Sequence, residues 1–177
     1  MSAVPTRGRW REPTSLLPLR WGRYRPRYGA AVVLIVAGGI VLQTGSAYAS
    51  ELIVLGFGAH IAGWIILPSR GAARALIALP SAVIVGSLIL GAAAAVMLAA
   101  PLAFWLLLRK RPAKSYLATL LPVASGVVLA MLYPQYGHGA IVIGVSLASV
   151  VGAAWIARWI ARGHSPARHR AGGGDSR

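Results

Sequence analysis

Two ionisable side chains lie where chemistry inside a membrane would need them. His60 sits within the apolar run GFGAHIAGW, and Glu51 precedes it by nine residues, or about 13.5 Å along a helix. Burying an ionisable group in a bilayer is costly, so such a group often marks an ion or substrate pathway. His60 could relay protons, bind a metal or cofactor, or hydrogen-bond a neighbouring helix.

A structural role is the alternative for both residues, and the sequence favours it. His60 has neither a second histidine nor a carboxylate one turn away, so a packed histidine bonded to a hydroxyl or a carbonyl of another helix explains it. Glu51 would begin a helix, where its charge favourably meets the helix dipole, with Ser50 as the cap.

Residue sets for hydrolytic or transfer chemistry are absent from the sequence. Without cysteine, the chain has no thiolate metal site, disulfide or cysteine nucleophile. It contains none of the motifs HExxH, GxSxG and GxxxxGK[ST], and its three acidic residues form no cluster for Mg²⁺. We therefore expect no enzyme activity, no cofactor and no metal.

The composition indicates a membrane protein. Hydrophobic residues make up 57% of the 177 residues and charged residues only 12%, whereas roughly a quarter of a soluble domain is charged. The sequence therefore predicts an all-α fold, a polytopic membrane helical bundle. Richness in Ala, Gly and Arg further suggests a bacterial protein, and hence the bacterial plasma membrane.

The cations predict how the chain is threaded. A net charge of +15 would suggest nucleic-acid binding in a soluble protein. Here all 18 Lys and Arg fall in four patches that alternate with apolar runs, which is the pattern of the positive-inside rule. Nucleic acid is therefore not an expected partner. The patches are residues 1–27, 68–75, 109–114 and 158–177.

The central apolar run decides the number of spans. Residues 76–108 contain 33 residues without a charge, and a single helix of that length would measure about 50 Å against a hydrocarbon core of roughly 30 Å. A hairpin turning near Gly91 gives six transmembrane helices as three hairpins, with every basic patch and both termini cytoplasmic. A re-entrant pair is the alternative. The other spans lie near residues 28–42, 52–67, 116–132 and 139–160.

Two tails flank the predicted transmembrane domain, residues 28–160. Residues 1–27 form a basic, proline-rich cytoplasmic arm and residues 161–177 a basic tail, both expected to be disordered. Each tail could rest on anionic lipid headgroups. Ala47-Tyr48-Ala49 resembles a signal-peptidase site, but the long preceding arm favours an external turn over cleavage after Ala49.

Small residues recur at helical spacing in three of the spans. Such ladders let helix backbones approach closely in lipid, and we favour internal packing over a homo-oligomer or a membrane-protein partner. The residues are Ala59 and Gly63; Ala95, Ala99 and Ala103; and Ala140, Gly144, Ala148 and Gly152.

Prolines interrupt three spans at equal spacings of 21 residues: Pro80, Pro101 and Pro122. Broken helices build ion and substrate sites in transporters, although a simple kink is the alternative. Our leading hypothesis is a non-catalytic accessory or scaffold component that acts through helix packing. The alternative is a small transporter or channel subunit that uses the proline-interrupted helices around His60.

Overall fold

The computed structural model describes residues 23–44, 49–69, 72–134 and 138–163, and within these ranges the regular structure is entirely helical. Most of the predicted arm and tail, and residues 45–48 of the predicted external turn, lie outside the described residues. The described helices are α1 (Tyr24–Thr44), α2 (Ser50–Ile66), α3 (Ala73–Gly86), α4 (Ala99–Leu108), α5 (Leu120–Leu132) and α6 (Gly139–Gly163).

Three of these helices are extended by 3₁₀ turns. Ser87–Leu90 continues α3, Ala92–Leu98 precedes α4, and Ala113–Thr119 precedes α5. With these extensions, four helices are long and apolar enough to cross a membrane: Tyr24–Thr44, Ala73–Leu90, Ala113–Leu132 and Gly139–Gly163. Ser50–Ile66 and Ala92–Leu108 are shorter apolar helices. The chain is therefore a helical membrane protein, and six crossings stay a prediction.

The long uncharged run folds back on itself at Gly91. This glycine has φ 116° and ψ −179°, a conformation that is essentially restricted to glycine. Ala78 near the start of α3 and Leu108 at the end of α4 belong to one buried cluster. The run is therefore a hairpin that turns at the predicted residue.

The prolines of α4 and α5 occupy matching positions. Pro101 and Pro122 are each the third residue of an α-helical segment that follows a seven-residue 3₁₀ stretch. Proline lacks an N–H, and its ring clashes with the carbonyl four residues earlier in a regular α-helix. The tighter 3₁₀ turns before each proline accommodate this clash. Pro101 and Pro122 thus share a repeated local geometry, whereas Pro80 lies inside the regular helix α3.

The first and last helices are longer than the apolar runs that predicted them. Helix α1 begins at Tyr24, inside the predicted arm, because Pro26 falls in the first helical turn, where proline is tolerated. Helix α6 continues to Gly163 and carries Arg162 in its last turn, where a cation favourably meets the helix dipole.

Glycines bring two pairs of helical segments into backbone contact. On α1, a Cβ added at Gly38 would lie 2.5 Å from the backbone nitrogen of His60 on α2. A Cβ at Gly63 would similarly lie 2.7 Å from the nitrogen of Ile35. In the second crossing, a Cβ at Gly126 would lie 2.5 Å from the nitrogen of Val96. Only glycine permits these approaches.

The described cations gather at one end of the bundle. They lie at the starts of α1 and α3, in the α4–α5 connection and in the last two turns of α6. Arg27 on α1 donates to the Ile66 carbonyl at the end of α2 over 2.8 Å, and a cation there complements the helix dipole. Glu51, the one acid among the described residues, lies at the opposite end of α2.

Candidate functional site

His60 lies at the meeting point of α1, α2 and α3. Its side chain is 2% exposed. The Nδ1 atom lies 2.9 Å from the Ile35 carbonyl of α1, and the Nε2 atom lies 3.0 Å from the Ser81 hydroxyl of α3. The indole nitrogen of Trp64, one turn along α2, is 3.1 Å from the same Nε2.

These partners fix the tautomer of His60. An indole N–H can only donate, so Nε2 must accept from Trp64, and the Ser81 hydroxyl lies within hydrogen-bond distance of the same lone pair. The ring proton therefore sits on Nδ1 and donates to the Ile35 carbonyl. A second proton on Nε2 would face the indole N–H. The imidazole is consequently a neutral bridge between three helices, with both ring nitrogens engaged.

Glu51 does not approach His60. It is exposed in the first turn of α2, as expected, and nine residues of helix, or about 13.5 Å, separate the two. The expected cap is wrong: Ala49 occupies the cap position and no side chain caps the helix. The helix begins at Ser50, so this serine falls inside the first turn and not before it.

The α6 ladder lies on the outside of the bundle. Ala140, Gly144 and Ala148 are exposed, and a Cβ added at Gly144 would meet nothing within 4 Å. Gly152 is half-buried beside Leu121. The first three residues therefore do not provide the internal packing that we favoured from the sequence. Helix α6 packs inward through a second stripe of small residues instead: Ser146, Ser149, Ala153, Ala157 and Ala161.

The other predicted packing residues lie inside or at the edge of the bundle. Gly63 and Ala95 are buried in the two backbone crossings, and Ala59, Ala99 and Ala103 are half-buried. Sequence reasoning did not assign this role to Gly38 and Gly126. Both are small residues within apolar runs. Gly38 has no small residue four positions away, and Gly126 has one, Ala130, a pair that sequence reasoning did not use.

The prolines do not converge. Pro80 is exposed in the middle of α3, and Pro122 is buried in α5. Pro101 is half-buried and shares a cavity of about 130 Å³ with His60. The remaining walls are almost entirely apolar residues of α1, α3 and α6. Of the three prolines, Pro101 is therefore the one that lines the same cavity as His60.

A cluster of arginines, which the sequence suggested only as a topology signal, is partly buried. Arg109 and Arg111, in the α4–α5 connection, are 5% and 8% exposed. The Arg109 guanidinium lies 4.4 Å from the ring centre of Tyr28 and 5.1 Å from that of Trp105, which are cation–π distances. It also donates to the Tyr24 hydroxyl over 3.4 Å.

Burial and neighbouring positive charges lower the pKa of two of these guanidinium groups. Burial, followed by the charges of Arg111 and Arg158, lowers the pKa of Arg109 to about 9. Burial and Arg158 also lower the pKa of Arg111. Arg109 therefore remains a cation at neutral pH in an environment that disfavours its charge.

A cavity of about 390 Å³ opens beside this cluster. We call it the arginine cavity. Tyr28, Trp105, Arg109, Arg111 and Arg158 form its polar side. Residues of α1 and α6 form much of its apolar side, among them Val150, Val151 and Ala154 of α6, and Trp155 stands at its edge with 75% of its surface exposed. The cavity is thus amphipathic.

The described residues contain no group of three His, Asp or Glu side chains that could hold a metal ion. Comparison of the chain with protein-family models, curated proteins and solved structures finds no significant match. The function must therefore be argued from the geometry of this chain.

Proposed function

We propose that this chain is a non-catalytic, multi-pass protein of the bacterial plasma membrane that acts as an accessory or scaffold component through helix association. Both termini are cytoplasmic in this proposal, because that orientation places the cation-rich end of the bundle inside. The observation that carries the proposal is the outward position of the α6 ladder, which leaves a face for close helix contact on the surface of the bundle.

The chemistry of this face suits a helix partner. Lipid chains are as apolar as the helix surface, so helices associate in a bilayer through van der Waals packing, and small residues allow the closest approach. Ala140, Gly144 and Ala148 are exposed at successive four-residue intervals. No charged side chain occurs from residue 139 to residue 157. Two such faces therefore meet without repulsion between like charges.

A second copy of the chain is the occupant that we propose. All copies insert into the membrane with the same orientation, so their α6 helices run parallel. A two-fold interface places a surface patch against the same patch of its partner, and small-xxx-small faces are a known parallel dimer motif. The α6 ladder is therefore complementary to itself.

The interior of the bundle supports a role without catalysis. His60 is the ionisable side chain at its centre, and both ring nitrogens are engaged with protein groups. A proton relay or a metal ligand requires a lone pair that is open to another species. The geometry of His60 favours helix packing over either chemistry.

The substitution Gly144→Leu tests the proposed dimer. Because a side chain at this position has open space in the monomer, the variant should fold normally and lose at least an order of magnitude in association. Energy transfer between labelled copies in lipid vesicles, measured over a range of protein-to-lipid ratios, gives the dimer fraction. Gly58→Leu is the matched control, because Gly58 is also exposed with nothing within 4 Å.

Two results would overturn the dimer. One is equal association of wild type and Gly144→Leu. The other is a monomeric purified chain whose crosslink to a different membrane protein in native membranes disappears with Gly144→Leu. This second result would keep the accessory role but assign the ladder to another protein.

The second candidate function, a small transporter or channel subunit, is supported by the cavity that His60 shares with Pro101. Its test is solute or ion flux in proteoliposomes. Flux that disappears with His60→Ala while the protein remains folded would favour this candidate. An absence of flux, or flux that is insensitive to the substitution, would exclude a His60 pathway.

A further inference from the structure

We propose that the arginine cavity binds one anionic phospholipid, with the lipid phosphate held by Arg109, Arg111 and Arg158 and the glycerol and first acyl carbons against α6. The inference is independent of the proposed dimer, because the cavity and the ladder share no residue.

Convergence of like charge is the first argument. Arg109 and Arg111 from the α4–α5 connection and Arg158 from α6 line the same cavity. Each of the two buried arginines is disfavoured in its charged form by its neighbours as well as by burial. A phosphate bound between the three guanidinium groups offsets this repulsion and supplies oxygens for charge-assisted hydrogen bonds.

The positioning of Arg109 is the second argument. Tyr28 and Trp105 lie against its guanidinium, and the Tyr24 hydroxyl accepts from it. A guanidinium held in this way presents its planar fork of donors in one orientation, which matches the oxygens of a phosphate. Because the side chain is already ordered, binding costs less conformational entropy.

The apolar wall identifies the ligand as a lipid. A free phosphate would contact the arginines and leave Val150, Val151 and Ala154 uncovered. A phospholipid covers both sides of the cavity. The volume, about 390 Å³, lies within the range of roughly 300–1,000 Å³ that is usual for ligand pockets. Exposed Trp155 at the edge also suits the membrane interface.

The location agrees with this ligand. The cavity lies at the end of the bundle where the described cations gather, and basic pockets between transmembrane helices on the cytoplasmic side bind lipid headgroups. The cations of this cavity are carried by helix α6 and by the α4–α5 connection, in fixed positions. The cavity should therefore retain one lipid through purification, where a loose electrostatic layer would be lost.

Native mass spectrometry of the full chain can test the site. The protein is released from mixed micelles of phosphatidylglycerol and phosphatidylcholine, and the retained lipid is identified. We expect one phosphatidylglycerol per chain, preferred at least tenfold over phosphatidylcholine. Arg158→Gln should reduce this preference at least threefold, and Arg109→Gln should abolish it. Arg158 is exposed, so Arg158→Gln should fold. This variant still tests the site if Arg109→Gln does not fold.

Lys110→Gln is the matched control. It removes the same charge from the same connection, but its side chain is exposed and does not line the cavity. Retention should be unchanged in this variant. An equal loss with Lys110→Gln would show that net charge alone attracts the lipid and would overturn the site.

A separate arm distinguishes the two sources of phosphate. Inorganic phosphate at millimolar concentration should neither displace the retained phosphatidylglycerol nor raise the thermal stability of the detergent-solubilised chain. Displacement by inorganic phosphate, together with equal retention of the two lipids, would overturn the lipid assignment and identify an anion site.

Discussion

The crossing of α1 with α2 and the outward face of α6 use the same residue types in opposite ways. At Gly38, an added Cβ would lie 2.5 Å from a backbone nitrogen of the neighbouring helix, whereas at Gly144 it would meet nothing within 4 Å. Both glycines belong to apolar helices, but Gly144 lies in a ladder of small residues at four-residue spacing and Gly38 does not. The difference shows that a small residue in an apolar helix predicts a position for close contact without indicating whether the partner lies in the same chain.

The two regions differ in what occupies the space beside the glycine. Inside the crossing, the space for a side chain is filled by rigid backbone. On the outer face of α6 it is filled by lipid, or by a second copy in our proposal. The same substitution should therefore act on folding in one region and on association in the other.

The largest expected effect is that of Gly38→Ala. The new methyl group would lie 2.5 Å from the His60 nitrogen and 2.8 Å from the Gly56 carbonyl oxygen, and backbone atoms cannot move aside as a side chain can. We expect a loss of about 3 kcal/mol in the free energy of unfolding, at the upper end of the usual cost of overpacking. Denaturation in mixed detergent micelles measures it.

Gly144→Ala is the control for this prediction. Alanine has the higher helix propensity, so the variant should match the wild type or be more stable by up to about 1 kcal/mol. Equal destabilisation by the two substitutions would mean that the α1–α2 crossing is no tighter than the outer face of α6.

His60→Ala should have the next largest effect. The substitution leaves the Trp64 indole N–H and the Ser81 hydroxyl without their acceptor in a buried site, and an unsatisfied buried polar group costs about 1–3 kcal/mol. We expect a loss of about 2 kcal/mol in the free energy of unfolding. His138→Ala, at an exposed position, should change it by less than about 0.5 kcal/mol.

A double-mutant cycle sharpens this test. His60 and Ser81 should couple by about 0.6–1.7 kcal/mol, between the average and the maximum for hydrogen bonds between membrane helices. Additive effects of His60→Ala and Ser81→Ala would contradict the bridge between α2 and α3.

The part of the fold that depends on local properties could be predicted from the sequence. The exclusion of charge from the apolar runs and the excess length of residues 76–108 predicted the hairpin and its turn at Gly91, because both follow from helix rise and bilayer thickness. The sequence also favoured a hydrogen bond from His60 to a hydroxyl or a carbonyl of another helix. It could not identify the partners, Ile35 and Ser81, because these depend on how three helices meet.

The arginine cavity could not be predicted in this way. Tyr24 and Arg109 are 85 residues apart in the chain and meet only when α1 packs beside the α4–α5 connection. The distribution of charge predicted that these arginines lie at a helix end, but it contained no sign of their burial. A weak signal was present in the four-residue interval from Trp105 to Arg109, which places both on one helical stripe.

Gly152 lies between the packed interior of the bundle and the outer face of α6. Its substitution by alanine has the smallest expected effect on the free energy of unfolding. An added Cβ would be 3.6 Å from the Leu121 side chain, an ordinary contact, so Gly152→Ala should change the free energy of unfolding by less than about 0.5 kcal/mol. The bulkier Gly152→Leu should displace Leu121 and cost about 1 kcal/mol.

Gly152→Ala and Gly152→Leu also allow the effects on folding and on association to be measured separately at one position. If the α6 ladder forms the dimer, Gly152→Ala should leave energy transfer between copies nearly unchanged, and Gly152→Leu should weaken it less than Gly144→Leu does, because Gly152 already faces α5. Equal losses of association at the two positions would extend the dimer face to Gly152. A larger loss at Gly152 would instead move the centre of the contact toward Trp155 and away from the exposed residues of the ladder.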